Sequence, residues 1–208
     1  MKLSEELRTG TAEEHRAAER SEFVSRFVRG RLDLPLHVRH MVALHAVYAA
    51  LEDALERRRD DPRLGAFALP QLWRRLAIER DLDFLRGPAW QGERPVPAAE
   101  AYAARLREIE ATEPILLVSH SYVRYLGDLS GGQVLRKLAS EQLDLIGDGL
   151  RFYEFPAIPD PPAFKAEYRR RLDALELTDG ERETVVAEAR TAFRLNAANF
   201  DDLVAGPP

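Results

Sequence analysis

The stretch TEPILLVSHSYVRYLGDLSGGQVLRKL, residues 112–138, decides how this chain folds. Its flanks, Ile115 to Leu126 and Val134 to Leu138, are strongly helical in character. Between them Gly127, Gly131 and Gly132 fall within six residues. Glycine in a helix interior costs about 1 kcal/mol relative to alanine, so three cost on the order of 3 kcal/mol unless something recovers it. Helical flanks on both sides predict a kinked helix here and not a loop. Gly127 and Gly131 share a face, and Asp128 and Gly132 form the adjacent stripe. Two explanations stay open. The bare backbone is either a groove for a flat ligand beside one directing carboxylate, or a tight helix–helix crossing.

Outward from this segment the chain reads as helices throughout, with no convincing alternating strand. Thr11-Ala12-Glu13-Glu14 has the form of a capping box, predicting a helix from there to about Arg29, stopped by Gly30. Pro35 starts a long helix to about Arg59, which Asp61-Pro62 breaks. Further helices are expected over Leu69–Leu85, closed by Gly87-Pro88, and over Ala98–Ile109 after the loop at Pro95 and Pro97. Thr112-Glu113-Pro114 is expected to cap the central helix, which runs to about Gln142. Residues 147–162 form a Gly/Pro-rich loop, ended by the cap Asp160-Pro161. A second capping box, Thr178 to Glu181, opens a last helix to about Leu203 with a seam at Ala189, Phe193, Asn196, Phe200 and Leu203. No repeat or long linker divides the chain, so residues 1–208 are expected to form one all-α domain, the last few residues disordered.

Composition narrows the chemistry. The chain has no cysteine, which removes disulfides, thiolate-held metals, iron–sulfur clusters and a thiolate nucleophile. Net charge is −5, so a nucleic-acid partner is not expected. No apolar run reaches the length of a membrane span, and the N-terminus turns acidic at Glu5-Glu6 with no apolar segment, so a cytoplasmic, signal-free protein is expected. Of the 30 basic residues 27 are arginines, which points to a GC-rich source and not to a function.

Leu129-Ser130-Gly131-Gly132-Gln133 spells the signature of ABC-type ATPases. That motif works only beside a phosphate-binding P-loop, and no Gly-Lys pair occurs in this chain. Five histidines are left as candidate ligands. His15 has Glu19 four residues on, on the same helical face, where a carboxylate can accept the ring N–H and orient the imidazole. Spacing alone favours an ordinary exposed histidine there. His37 and His40 lack a third ligand in register and are expected to be a solvated pair; His45 and His120 sit among apolar residues and are expected in the core or at its boundary. No His-Glu-x-x-His is present. Lys165 and Arg169, four apart, could clamp two carboxylates or simply form a solvated basic face. Asn196 interrupts the last apolar seam and by itself reads as one hydrogen-bonded core residue.

Together these segments resemble the heme oxygenase family over nearly the whole chain, about Leu3 to Leu203. The resemblance is carried by TAEEHRAAE (11–19), YAALE (48–52), TEP (112–114), above all HSYVRYLGDLSGGQ (120–133), then Phe155-Pro156, FKAEYR (164–169) and AFRLN (192–196). It implies a heme oxygenase-like helical bundle with heme b, both cofactor and substrate, between a proximal and a kinked distal helix. It implies His15 as the iron ligand with Glu19 as its hydrogen-bond partner. The distal helix would cross the other heme face at Gly127, Gly131 and Gly132. Asp128 would organise a water network with Tyr48, Arg124 and Asn196. Lys165 and Arg169 would clamp the propionates, with Tyr122 nearby; Arg8 stands where relatives often carry a lysine. Phe193 and Phe200 would form pocket walls. The chain departs from the family in lacking a basic residue at or next to Ala12, and it ends without the hydrophobic tail of some eukaryotic members.

The implied reaction consumes O2 and electrons and yields biliverdin, the IXα isomer, with CO and Fe(II). The implied electron donor is a reductase or ferredoxin, and a monomer is the default state. A heme carrier or sensor on the same fold is the rival. A thiamin-salvage enzyme would need a cysteine, and a di-metal oxidase would need Glu-x-x-His pairs; both are absent.

Overall fold

The computed structural model describes residues 1–206, which fold into helices joined by turns and short 3₁₀ segments, with no strand among them. Part of the expectation for the C-terminal residues falls on 207–208, which lie outside the described residues. In chain order the helices are α1 (Leu3–Gly10), α2 (Ala12–Glu19), α3 (Glu22–Val28), α4 (Leu34–Arg57), α5 (Arg75–Arg86), α6 (Pro97–Thr112), α7 (Leu117–Leu143), α8 (Pro161–Asp173) and α9 (Asp179–Ala205).

The long helices arise where caps and apolar periodicity agree. Asp33 caps α4 by accepting from the Leu36 amide at 2.8 Å, and Pro35 lies in the first turn. Thr178 and Glu181 form the capping box expected for α9. Asp160 caps α8 through the Ala163 amide at 2.9 Å. The box expected at Thr11 does not form. Thr11 is buried, and its hydroxyl donates to the Leu7 carbonyl at 2.7 Å, closing α1, a helix the sequence patterning did not resolve. The single helix expected over 11–29 is divided at Arg20–Ser21, where Ser21 caps α3. Residues 65–67 and 70–72 are 3₁₀ turns, so α5 starts at Arg75 and not near Leu69. Nor does Thr112 cap the central helix; it ends α6, with its hydroxyl on the Glu108 carbonyl, and a 3₁₀ turn at 114–116 leads into α7.

One apolar core collects Leu51, Leu55, Leu106, Ile109, Leu117 and Leu203, all 0–1% exposed. Truncating such a residue to alanine costs about 2–5 kcal/mol. α4 packs on α5 and α6, and α9 packs on α6, α7 and the short N-terminal helices α1 to α3. α9 is therefore the strut that relates α2 to α7. The Gly/Pro-rich segment before α8 is pinned by polar contacts. Asp81, 0% exposed, accepts the amides of Arg151 (2.9 Å) and Phe152 (2.8 Å). Buried Arg74 donates to the carbonyls of Phe152 and Glu154, and Gln133 on α7 donates to the Tyr153 carbonyl at 2.8 Å. These bonds satisfy backbone groups that would otherwise be buried without partners.

The expectation of a solvated His37–His40 pair is wrong. His37 is 0% and His40 5% exposed. α4 is apolar around most of its circumference because elements pack on several sides of it, so no face was left for solvent at those positions. His120 is buried, as its apolar surroundings implied, and His45 lies half-buried against Trp90 and Glu79.

Candidate functional site

α4, α7 and α9 bring four distant polar residues into one cluster. The Tyr48 hydroxyl on α4 donates to the Asp128 carboxylate on α7. Arg124, one turn before Asp128, donates from Nε to the Tyr48 hydroxyl at 3.1 Å and from Nη1 to the Asn196 side-chain oxygen on α9 at 2.6 Å. Its other terminal nitrogen lies 3.6 Å from Asp128 Oδ1. The guanidinium also sits 5.1 Å above the centre of the Tyr48 ring. The Asp128 side chain is only 13% exposed and Tyr48 is fully buried. Burial raises the Asp128 carboxyl above its ordinary range, opposed by the Arg124 charge, the Tyr48 hydrogen bond and the more distant Arg74 charge. Burial likewise raises the Tyr48 phenol, keeping it a donor. Burial would lower Arg124, but Tyr48 and Asp128 more than offset it and the cation is held. The cluster is a buried charge pair with a directed hydrogen-bond chain, and losing any member leaves another uncompensated.

Beside this carboxylate α7 exposes bare backbone. The helix continues through 127–132 without a break, so the segment is helix and not loop. A Cβ placed on Gly127 or Gly131 would meet nothing within 4 Å, and one on Gly132 would reach only the Tyr153 ring at 3.8 Å. A tight helix crossing would put a neighbour against those positions. Gly10 is such a case: its Cβ would fall 2.6 Å from Val186. Of the two explanations for the glycines, the tight crossing is excluded at 127 and 131.

His15 projects from α2 with its side chain 56% exposed. Its Nδ1 is 3.7 Å from a Glu19 oxygen, within ion-pair range but longer than a hydrogen bond. The ring stands edge-on to Phe193 of α9 at 5.8 Å. Phe200, two turns along α9, stacks on Phe23 of α3 at 4.7 Å and lies 6.2 Å from His40. Phe193 and Phe200 are both half-buried.

The basic residues gather where α1, α7 and α8 meet. Burial raises the half-buried Tyr122 phenol, opposed by the nearby positive charges of Arg169 and Arg8. Lys165 on α8 donates to the Ser130 hydroxyl on α7 at 3.1 Å, beside the glycines. Arg8 and Arg169 are exposed.

Several buried polar residues around the cluster were not singled out from the sequence. Tyr102 meets Nδ1 of His120 at 3.2 Å, and Nε2 of His120 meets Glu188 at 2.9 Å. Glu188 is also paired with Arg105 at 2.8 Å. Glu52 accepts the amide of Arg74 at 2.5 Å, and burial lifts its carboxyl to about 7. For Glu188 and Asp81 a signal existed: each is an acid on an otherwise apolar helical stripe (Val185, Ala189 and Ala192; Ile78, Leu82 and Leu85). Arg74 gave no such signal.

The heme oxygenase family model matches residues 1–202. Human heme oxygenase 1 is 45% identical over 205 residues, covering 97% of this chain and 71% of the human one. Heme oxygenase from Leptospira interrogans superposes with a TM-score of 0.91 at 43% identity, covering 96% of this chain and 98% of the other. Heme oxygenase-1 from the cyanobacterium Synechocystis, solved in complex with heme, superposes with a TM-score of 0.95 at 39% identity, covering 99% and 93% of the two chains.

Proposed function

The chain belongs to the heme oxygenase family, and on that premise we propose that the bare face of α7 and the imidazole of His15 grip a heme whose ring this enzyme opens. It is a heme-degrading oxidoreductase: with O2 and reducing equivalents it turns heme, cofactor and substrate at once, into biliverdin, CO and Fe(II). The residue roles are our assignment. The one observation that carries it is a part-buried, hydrogen-bonded carboxylate, Asp128, next to two glycines whose faces nothing covers.

The residues fit the group. Gly127 and Gly131 offer a flat approach for a macrocycle, since no Cβ would stand between it and the helix backbone. The accessible imidazole of His15 suits an iron ligand, with Glu19 close enough to take its other N–H after a small adjustment. Arg8, Arg169, Lys165 and Tyr122 supply a basic, hydrogen-bonding rim for two propionates. Phe193 and Phe200 provide apolar wall.

Bound heme supplies the redox-active iron and the meso carbon that is oxidised. The protein positions and delivers protons. Tyr48 and Arg124 fix the Asp128 carboxylate, and Asn196 fixes Arg124, so Asp128 is aimed and kept from rotating. So held, it can orient a water as proton donor at the heme face without itself being a strong acid. With no side chain at Gly127 and Gly131, the α7 backbone itself would lie against a bound heme and limit the space above that face. Lys165 and Arg169 would hold the propionates and so fix the in-plane orientation of the heme, for which the IXα isomer is the product expected. We further assign the protein to the cytoplasm as a monomer fed by a reductase or ferredoxin; no helix among the described residues is long and apolar enough to cross a membrane.

Heme titration followed by turnover with ascorbate or a reductase tests this reading. Loss of the Soret band with formation of a bilin is expected. A stable heme complex that never bleaches would make the protein a carrier or sensor and overturn the assignment.

A further inference from the structure

Residues 12–32 carry α2, α3 and the turn into α4, and with them the imidazole of His15. This arm meets the rest of the protein mainly through apolar contacts. α2 buries no residue, and α3 buries Phe23 and Phe27. Phe23 stacks on Phe200 of α9 at 4.7 Å, and the His15 ring meets Phe193. Apolar attraction is non-directional, so by itself it does not fix the register of one element against another.

The directional contacts converge on one side chain. Among the described residues, and apart from the backbone bonds that open α2, the hydrogen bonds and ion pairs of 12–32 stay within the arm except for two, and both go to Gln142. Gln142 Nε2 donates to the Phe27 carbonyl at 2.6 Å, and its Oε1 accepts the Leu32 amide at 2.9 Å. These main-chain groups lie where α3 ends. Gly30, at φ +67°, reverses the chain there, with its amide on the Phe27 carbonyl at 3.3 Å and the Arg31 amide on the Arg26 carbonyl at 2.8 Å. Leu32 is buried, so water is a poor substitute partner for its amide. One target accepts and the other donates, so the tie needs a side chain with both functions, and this fixes the orientation of the Gln142 amide. Gln142 sits in the last turn of α7, fourteen residues past Asp128, about 21 Å of helix rise away. One helix therefore carries both the bare glycine face and the tie to the arm that bears His15.

We propose that Gln142 is a positioning residue for the heme cleft: it sets the register of the α2–α3 arm against α7, and so the spacing between His15 and the Gly127–Gly131 face. It touches neither heme nor the reacting atoms. The tie stands on its hydrogen bonds alone. Its effect on heme rests on the function proposed above.

Gln142→Met keeps the length of the side chain and removes both functions. In the heme-free protein, amide hydrogen exchange read by NMR should become about tenfold faster or more at Leu32, the scale of an amide left without its partner. Exchange should also quicken along α3 and stay unchanged in α6. In the ferric heme complex, transfer of heme to an excess of a heme-free acceptor protein should be several-fold faster, with the histidine-ligated spectrum retained. Gln142→Ala should behave alike. Equal Leu32 exchange in parent and variants would dissolve the tie and overturn the proposal. Faster exchange with unchanged heme release would leave Gln142 a purely structural side chain and overturn its claim on the cleft. A parent protein that binds no heme would count against the function proposed above, and the exchange result would still decide the tie.

Discussion

Phe193 and Asn196 stand one turn apart on α9, the first against the His15 ring and the second bonded to Arg124. That step of three residues, about 4.5 Å of helix rise, relates the two halves of the site. α2 and α7 need not be joined directly, because each is referenced to the same stretch of α9. The dependence of His15, proposed as the iron ligand, and of the Asp128 carboxylate on one strut makes several outcomes predictable.

His15→Ala should abolish the histidine-ligated spectrum of the heme complex, with exogenous imidazole restoring part of it. The heme-free fold should be unaffected, within about 0.5 kcal/mol by chemical denaturation, because the side chain is exposed and has no short hydrogen bond. An unchanged spectrum would mean that the ligand lies elsewhere.

Asp128→Asn keeps the shape of the side chain and a partner for Tyr48 but removes the charge. Heme affinity should hold while biliverdin formation falls by roughly 100-fold or more, the scale of a lost proton-delivery group. Normal turnover of this variant, measured by bilin absorbance, would remove Asp128 from the mechanism.

Gly131→Ala separates folding from function. Its Cβ would meet nothing in the protein, so the helix should gain about 1 kcal/mol. The same methyl would stand on the face proposed for heme, and affinity should drop by about tenfold, equivalent to roughly 1.4 kcal/mol. A variant that is more stable and binds heme as well as the parent would place the macrocycle elsewhere.

Lys165→Ala combined with Arg169→Ala should leave a competent enzyme with altered regiochemistry. Product chromatography should show β or δ biliverdin alongside the α isomer. A pure α product would show that something other than this rim sets the in-plane rotation.

The Glu188 carboxyl is raised by burial, but His120 and Arg105 outweigh that and bring it to about 2. The group ordinarily titrates at 4.5, so the folded value lies below the unfolded one. The unfolded chain then binds the proton first on acidification. The stabilisation is whole above pH about 4.5 and is lost as pH falls toward 2, on the order of a few kcal/mol. Glu188→Gln should destabilise the protein at pH 7 and flatten the acid limb of its stability curve. An acid limb identical to the parent's would refute the ion pair.

How much was legible in the sequence follows the range of the forces involved. The long helices were, because caps such as Thr178–Glu181 and the 3.6-residue apolar period are local. So was the anomaly at 127–132, since glycine's cost in a helix does not depend on neighbours. The break at Arg20–Ser21 and the missing Thr11 cap were not, because burying Thr11 against α1 outcompetes the local capping pattern.

The site divides in the same way. Sequence alone determined the all-helical class, the carboxylate beside bare backbone, and the imidazole with a carboxylate four residues on. Tertiary structure decided what surrounds those features. Open space at Gly127 and Gly131, the Tyr48–Asp128 bond across 80 residues and the burial of His37 and His40 all depend on which helices meet. Pairwise contacts between distant segments follow from the packing of the whole core, and the spacing of residues along one helix does not contain them.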